Sequence, residues 1–194
     1  TATLNTDYQI ASKTITVPAG SISSSTLVSA IGDVLDEFNE TIIVDIDTVT
    51  KGVEAGTSGQ QQTIAIRDDD AIATVTLSIG KTTVGEKVGT TTTVTATLSA
   101  ISGNDVTVTL VKSGSAADEI DYGVSELILF IPQGAISAST FATAFDDIFD
   151  EDDETIVIDI DTVTNALESA TQRKTITILD DDATPTVTLS VDNV

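Results

Sequence analysis

The sequence predicts an all-β chain of tandem antiparallel β-sandwiches, and three observations predict it. A long segment recurs at a fixed spacing. Apolar residues alternate with Thr at a period of two. The alternating segments are separated by Gly, Asn, Asp and Ser, the residues of turns.

The repeat comes first, because missing it misreads a whole fold. Asp7-Tyr8 recurs as Asp121-Tyr122, and Val17-Pro18-Ala19-Gly20 as Ile131-Pro132-Gln133-Gly134. The segment from Glu40 to Thr50 recurs from Glu154 to Thr164, all at an offset of 114. Across the loop at 56–62 the offset becomes 112, so that Asp68-Asp69-Asp70 matches Asp180-Asp181-Asp182 and Thr74–Ser78 matches Thr186–Ser190. This divides the chain into residues 1–70, the later part of one repeat; 71–182, a complete repeat; and 183–194, the first strand of a following one. The linkers are as short as Ala71-Ile72-Ala73 and Ala183-Thr184-Pro185. The chain opens at Thr1 with no initiator Met or signal pattern, as a fragment or a mature product would.

The strands of the complete repeat follow from alternation. Val75, Leu77 and Ile79 alternate with Thr and Ser. Val94, Ala96 and Leu98 alternate with Thr. So do Val106, Val108 and Leu110, and Ile176 and Ile178, while Ile156, Ile158 and Ile160 alternate with Val157 and Asp159. Leu127–Ile131 reads as a more continuously apolar strand, and residues 139–145 as a further one. About seven short strands of this kind suit a two-sheet sandwich of immunoglobulin-like type. Residues 1–70 have no counterparts of 72–114, so their sandwich cannot close from its own chain.

Composition narrows the function. There are 31 acidic and 8 basic residues, a formal charge of −23, and no His, Cys, Met or Trp. Apolar residues make up 40% and mean hydropathy is +0.21, enough for a packed core. That core is aliphatic. Such a charge excludes nucleic acid and anionic membrane, which need basic patches. The sequence has no run of 18 or more apolar residues that could cross a bilayer. Without His or Cys, and with few aromatics, neither nucleophilic catalysis nor sugar cleavage by paired carboxylates finds its usual residues, so no enzyme is expected.

The acids gather where strands end. In the complete repeat these are Glu86, Asp121, the run from Asp146 to Glu154, and Asp180 to Asp182. Like charges so close repel unless screened or joined by a counter-ion. Ca²⁺ accepts six to eight oxygens at adaptable geometry, Mg²⁺ wants a stricter octahedron, and zinc or copper would want His or Cys. Calcium is therefore the expected ion. The twelve-residue EF-hand loop is absent.

At these residues the sequence resembles the Calx-beta domain, a module of sodium–calcium exchangers and of many large bacterial surface proteins. The features that carry the resemblance are the first strand 73–79, Glu86-Lys87-Val88-Gly89-Thr90, Asp121-Tyr122, Ile131-Pro132-Gln133-Gly134, the segment 146–155, and Ile178-Leu179-Asp180-Asp181-Asp182. The resemblance implies a seven-stranded sandwich with calcium at one end. It implies as ligands Glu86, Asp121, Asp146, Asp147, Glu151, Glu154, Asp180, Asp181 and Asp182, with the Phe149 carbonyl as a backbone ligand. In the partial repeat it implies Asp7, Asp33, Glu37, Glu40, Asp68, Asp69 and Asp70. There Gly32 replaces Asp146, nothing corresponds to Glu86, and Phe38 and Asn39 replace Asp152 and Asp153, so fewer or weaker ions are expected.

The functional expectation is a calcium-binding structural repeat of a large extracellular or cell-surface protein, bacterial by kind: an adhesin, matrix or fibre-forming protein whose repeat junctions calcium stiffens. Its partners are calcium ions and neighbouring repeats, in the same chain or in identical chains. Two alternatives stand beside it. The tail Thr186–Val191 copies a first strand and could assemble a filament by strand donation. A regulatory calcium-sensing module is the other.

Overall fold

The computed structural model describes residues 1–56, 60–87 and 90–191. Part of the loop where the repeat offset changes, Val88-Gly89 of the second motif, and the last three residues of the tail lie outside these. The chain divides into two compact units, Thr1–Ala71 and Ile72–Val194. Among the described residues every regular element is a strand, and no helix is long and apolar enough to cross a membrane.

The first unit holds two separate pairs. β1 (Tyr8–Ile10) runs antiparallel to β2 (Val28–Ala30), and β3 (Glu40–Val44) to β4 (Gln62–Ile66). Ile42 is its one buried hydrophobic among the described residues, while Leu27, Phe38 and Ile43 are exposed. Half a sandwich has no second face on which to bury its apolar side chains.

The second unit is a two-sheet immunoglobulin-like sandwich. Its strands are β5 (Thr74–Ile79), β6 (Thr83–Gly85), β7 (Thr91–Leu98), β8 (Val106–Gly114), β9 (Tyr122–Val124), β10 (Ile128–Ile131), β11 (Ser137–Ala144), β12 (Glu154–Thr164), β13 (Leu167–Glu168) and β14 (Lys174–Leu179). One sheet runs β13-β5-β7-β11-β9 and the other β10-β8-β12-β14-β6. The seven longer strands are the expected seven; β6, β9 and β13 are short additions at sheet edges. The alternation does what period-two patterns dictate: Val94, Ala96, Val106, Val108, Ile156, Ile158 and Ile176 are all fully buried between the sheets. The apolar run at β10 is only half buried. Leu129 and Ile131 face the core, while Ile128 and Phe130 face outward on an edge strand.

The start of this unit changes sheets. β5 pairs antiparallel with β7, and β6 then pairs parallel with β14. At the crossing, Gly80 lies so close to Thr93 that an added Cβ would sit 2.6 Å from its Oγ1. The buried Thr92 hydroxyl braces the crossing, accepting the Lys81 N–H at 2.7 Å and donating to the Lys81 carbonyl at 3.1 Å. This hand-over delivers Glu86 beside the end of β14.

Residues 183–191 form no strand, and Val187, Leu189 and Val191 are almost fully exposed. β5, which they copy, is held by its antiparallel partner β7, and residues 183–194 contain no counterpart of β7.

Candidate metal centre

One end of the second unit collects the acids because five strand ends meet there. β6 pairs with β14 in the register Gly85↔Leu179, and the Glu86 N–H donates to the Leu179 carbonyl at 3.2 Å. Glu86 therefore stands beside Asp180. Glu154 opens β12 opposite Ile178. Asp121 precedes β9, and its carbonyl accepts the Phe145 N–H at 2.8 Å, where β11 ends and the acidic loop begins.

The result is two carboxylate trios. Glu86, Asp180 and Asp182 each offer an oxygen within 4.8 Å of the others, and so do Asp121, Glu151 and Glu154. Glu86 is only 5% exposed. Its Oε2 and the Oε2 of Glu154 are buried and accept no hydrogen bond from the protein. Burying a carboxylate oxygen with no partner is costly.

The electrostatics agree. Burial, reinforced by Asp180, Asp147, Glu151 and Asp182, pushes Glu86 up to about 7. Burial raises Glu154 well above the usual carboxylate range, helped by its side-chain hydrogen bond to Asp121 and by the charges of Asp121 and Glu151. Glu151 is raised by desolvation and then by Asp147, Asp121 and Asp180, so it feels members of both trios. Asp182 is raised by desolvation and by Asp180, Asp181, Asp147 and Asp146. Crowded acids without a counter-ion hold protons against mutual repulsion.

The other implied ligands lie around the trios. Asp147 Oδ1 accepts the Phe149 N–H at 2.7 Å, an Asx turn that shapes the loop. Asp146 lies near enough to raise Asp182. The Phe149 side chain is exposed. Asp181 belongs to neither trio and forms an exposed ion pair with Lys87 at 3.8 Å.

In the first unit, Asp7, Asp33, Glu37, Glu40, Asp68, Asp69 and Asp70 line one open depression together with Gly32 and Phe38. Glu37 is raised by desolvation and by Asp33, Asp7, Glu40 and Asp68, and Glu40 by desolvation and Asp7. Among the described residues no three of these carboxylates meet as closely as the trios of the second unit.

The internal framework is duplicated bond for bond. The Thr3 N–H donates to the Asp7 carboxylate as Ala117 does to Asp121. Leu35 donates to Asp33 at 2.8 Å as Phe149 does to Asp147. Glu37 donates to Asp68 at 3.2 Å as Glu151 does to Asp180 at 3.3 Å. Asp68 donates to Asn39 Oδ1 at 2.9 Å, and Asp180 to Asp153 Oδ1 at 3.3 Å. Asp153 stands outside the ligand set that the resemblance implies. Its signal lies in the pairing with Asn39: both copies place a side-chain oxygen there, and only one carries charge.

The donor set fits calcium. Every side-chain donor is a carboxylate oxygen, hard and anionic, and two of the buried oxygens have no protein partner.

No family model and no curated protein matches the sequence. Among solved structures, the apo-form Calx CBD1 domain matches at 22% identity and TM-score 0.49, over 56% of this chain and 99% of that one. The calcium binding domain CBD12 of CALX1.1 matches at 24% identity and TM-score 0.46, over 52% of this chain and 41% of that one. WR4, a C. elegans MSP family member, matches at 11% identity and TM-score 0.33, over 54% of this chain and 96% of that one.

Proposed function

We propose that this chain is a calcium-binding structural repeat module of a large extracellular or cell-surface protein, bacterial by kind, in which the ion stiffens the repeat. The observation that carries the reading is the pair of carboxylate trios with Glu86 Oε2 and Glu154 Oε2 buried and unpartnered. The residues of the chain do three things. Glu86, Asp180 and Asp182 present one set of oxygens, and Asp121, Glu151 and Glu154 another. The Asx turn at Asp147 and the bond from Glu151 to Asp180 hold the loop in place. Calcium, when bound, supplies the positive charge that cancels their repulsion.

Three residues, Ala183-Thr184-Pro185, separate the triplet Asp180–Asp182 from Thr186, the start of the next copy of the first strand. An ion at the triplet would limit how that next repeat swings, turning a flexible string into a rod. The role is binding and mechanical rather than catalytic, in line with a chain that has no His, Cys or Trp. Melting temperature and scattering-derived length, with calcium and then with EGTA, test it. Both should rise with calcium; no change in either sinks it.

One observation favours a second reading, assembly by strand donation between identical chains: Val187, Leu189 and Val191 are exposed in a segment that copies the buried β5. Deleting residues 186–194 should then abolish concentration-dependent assembly of the chain.

A further inference from the structure

The two copies of the acidic loop agree in one bond at which their residues differ in charge. The Asp180 N–H donates to the side-chain oxygen of Asp153 at 3.3 Å, and the equivalent Asp68 N–H donates to the amide oxygen of Asn39 at 2.9 Å. In both copies the first Asp of the triplet also accepts, from the N–H of Glu151 at 3.3 Å or of Glu37 at 3.2 Å. The acidic loop and the end of the last strand are thus tied by two bonds running in opposite directions.

We propose that Asp153 is a positioning residue of the calcium site and not a ligand: its side-chain oxygen, like that of Asn39, holds the backbone of the Asp triplet against the acidic loop. The inference rests on the calcium reading above. Asp and Asn share an acceptor oxygen in the same place but differ in charge. A bond kept when the charge is absent depends on the acceptor. The tie also joins the two trios, because Glu151 belongs to one and Asp180 to the other. Loss of the acceptor frees the Asp180 N–H and lets repulsion spread the loop, so the two sets of oxygens no longer converge. Asp153 is exposed, so its charge is screened and adds little.

Calorimetric calcium titration of the whole chain, wild type against Asp153→Ala, Asp153→Asn and the neighbouring Asp152→Asn, tests this. Asp153→Ala should weaken calcium binding by about tenfold to a hundredfold, the usual effect of losing a group that orients ligands. Asp153→Asn and Asp152→Asn should each stay within about fivefold of wild type, the effect of one exposed charge. Rescue by Asn is the readout that a role resting on the Asp153 charge would not give. Asp153→Asn binding as weakly as Asp153→Ala overturns the inference, and so does Asp153→Ala binding like wild type. If Asp153→Ala does not fold, the comparison of Asp153→Asn with Asp152→Asn decides. Failure of the wild-type chain to bind calcium overturns the calcium reading itself and is read separately.

Discussion

The Glu86 carboxylate, almost wholly buried at the end of β6, lies within 4.8 Å of the Asp180 carboxylate at the end of β14. A parallel strand pair brings them together, and no other bond relieves Glu86 Oε2. Glu86→Gln should therefore act in two directions. Without calcium it removes repulsion with Asp180 and Asp182 and should raise the melting temperature by several degrees. With calcium it removes an anionic ligand and should weaken binding by about tenfold or more. Melting curves in EGTA and in calcium read both arms.

The pH dependence has a fixed sign. Glu86 titrates near 7 in the folded chain against an ordinary 4.5. Below about pH 4.5 its contribution to stability is whole, since folded and unfolded chains both hold the proton. Between 4.5 and 7 the unfolded chain ionises first, so that contribution falls as pH rises and is lost through the folded value. Glu154, also raised, adds in the same direction. The calcium-free chain should lose melting temperature across this window. Calcium affinity should rise across it, with protons released on binding. Titrations in buffers of different ionisation enthalpy measure that release.

The donor set predicts the ion. Carboxylate oxygens at adaptable spacing should favour Ca²⁺ over Mg²⁺, and neither Zn²⁺ nor Cu²⁺ should displace calcium at equal concentration. Excess calcium at a hundredfold over Kd should stabilise the folded chain by about 2.7 kcal/mol. Competition against a calcium-loaded sample checks the order.

Gly114 ends β8 at φ +133°, where an added Cβ would fall 2.0 Å from the Thr155 carbonyl oxygen. Gly114→Ala should destabilise the chain by about 2 kcal/mol or more, through strain and through displacement of the strand that carries Glu154. Urea unfolding gives the number. Ile158→Ala, at the centre of the core, should cost about 2–5 kcal/mol and leave calcium affinity unchanged in the folded fraction.

Much of this architecture was legible where side chains alternate strictly. β7, β8, β12 and β14 follow from Val, Ile and Leu at every second position. β6, β9 and β13 did not, because two or three residues hold no period; their pairing comes from the sheet edge beside them. The sheet change at Gly80 is likewise a tertiary event. At the site, the repeat located the acids, but their division into two trios depends on which strand ends converge. Asp181 looks like its neighbours in sequence and faces Lys87 instead. Asp153 differs from Asp152 in pairing with Asn39 rather than Phe38, and the Asp180 N–H donates to Asp153.

The most direct measurement is a calcium titration of the whole EGTA-stripped chain at neutral pH, followed by calorimetry and by melting temperature. Saturable binding, a raised melting temperature, and loss of both in a variant carrying Glu86→Gln and Glu154→Gln are the predicted result. No saturable binding in the wild-type chain, or undiminished binding in that variant, contradicts the assignment of the two trios as the calcium site.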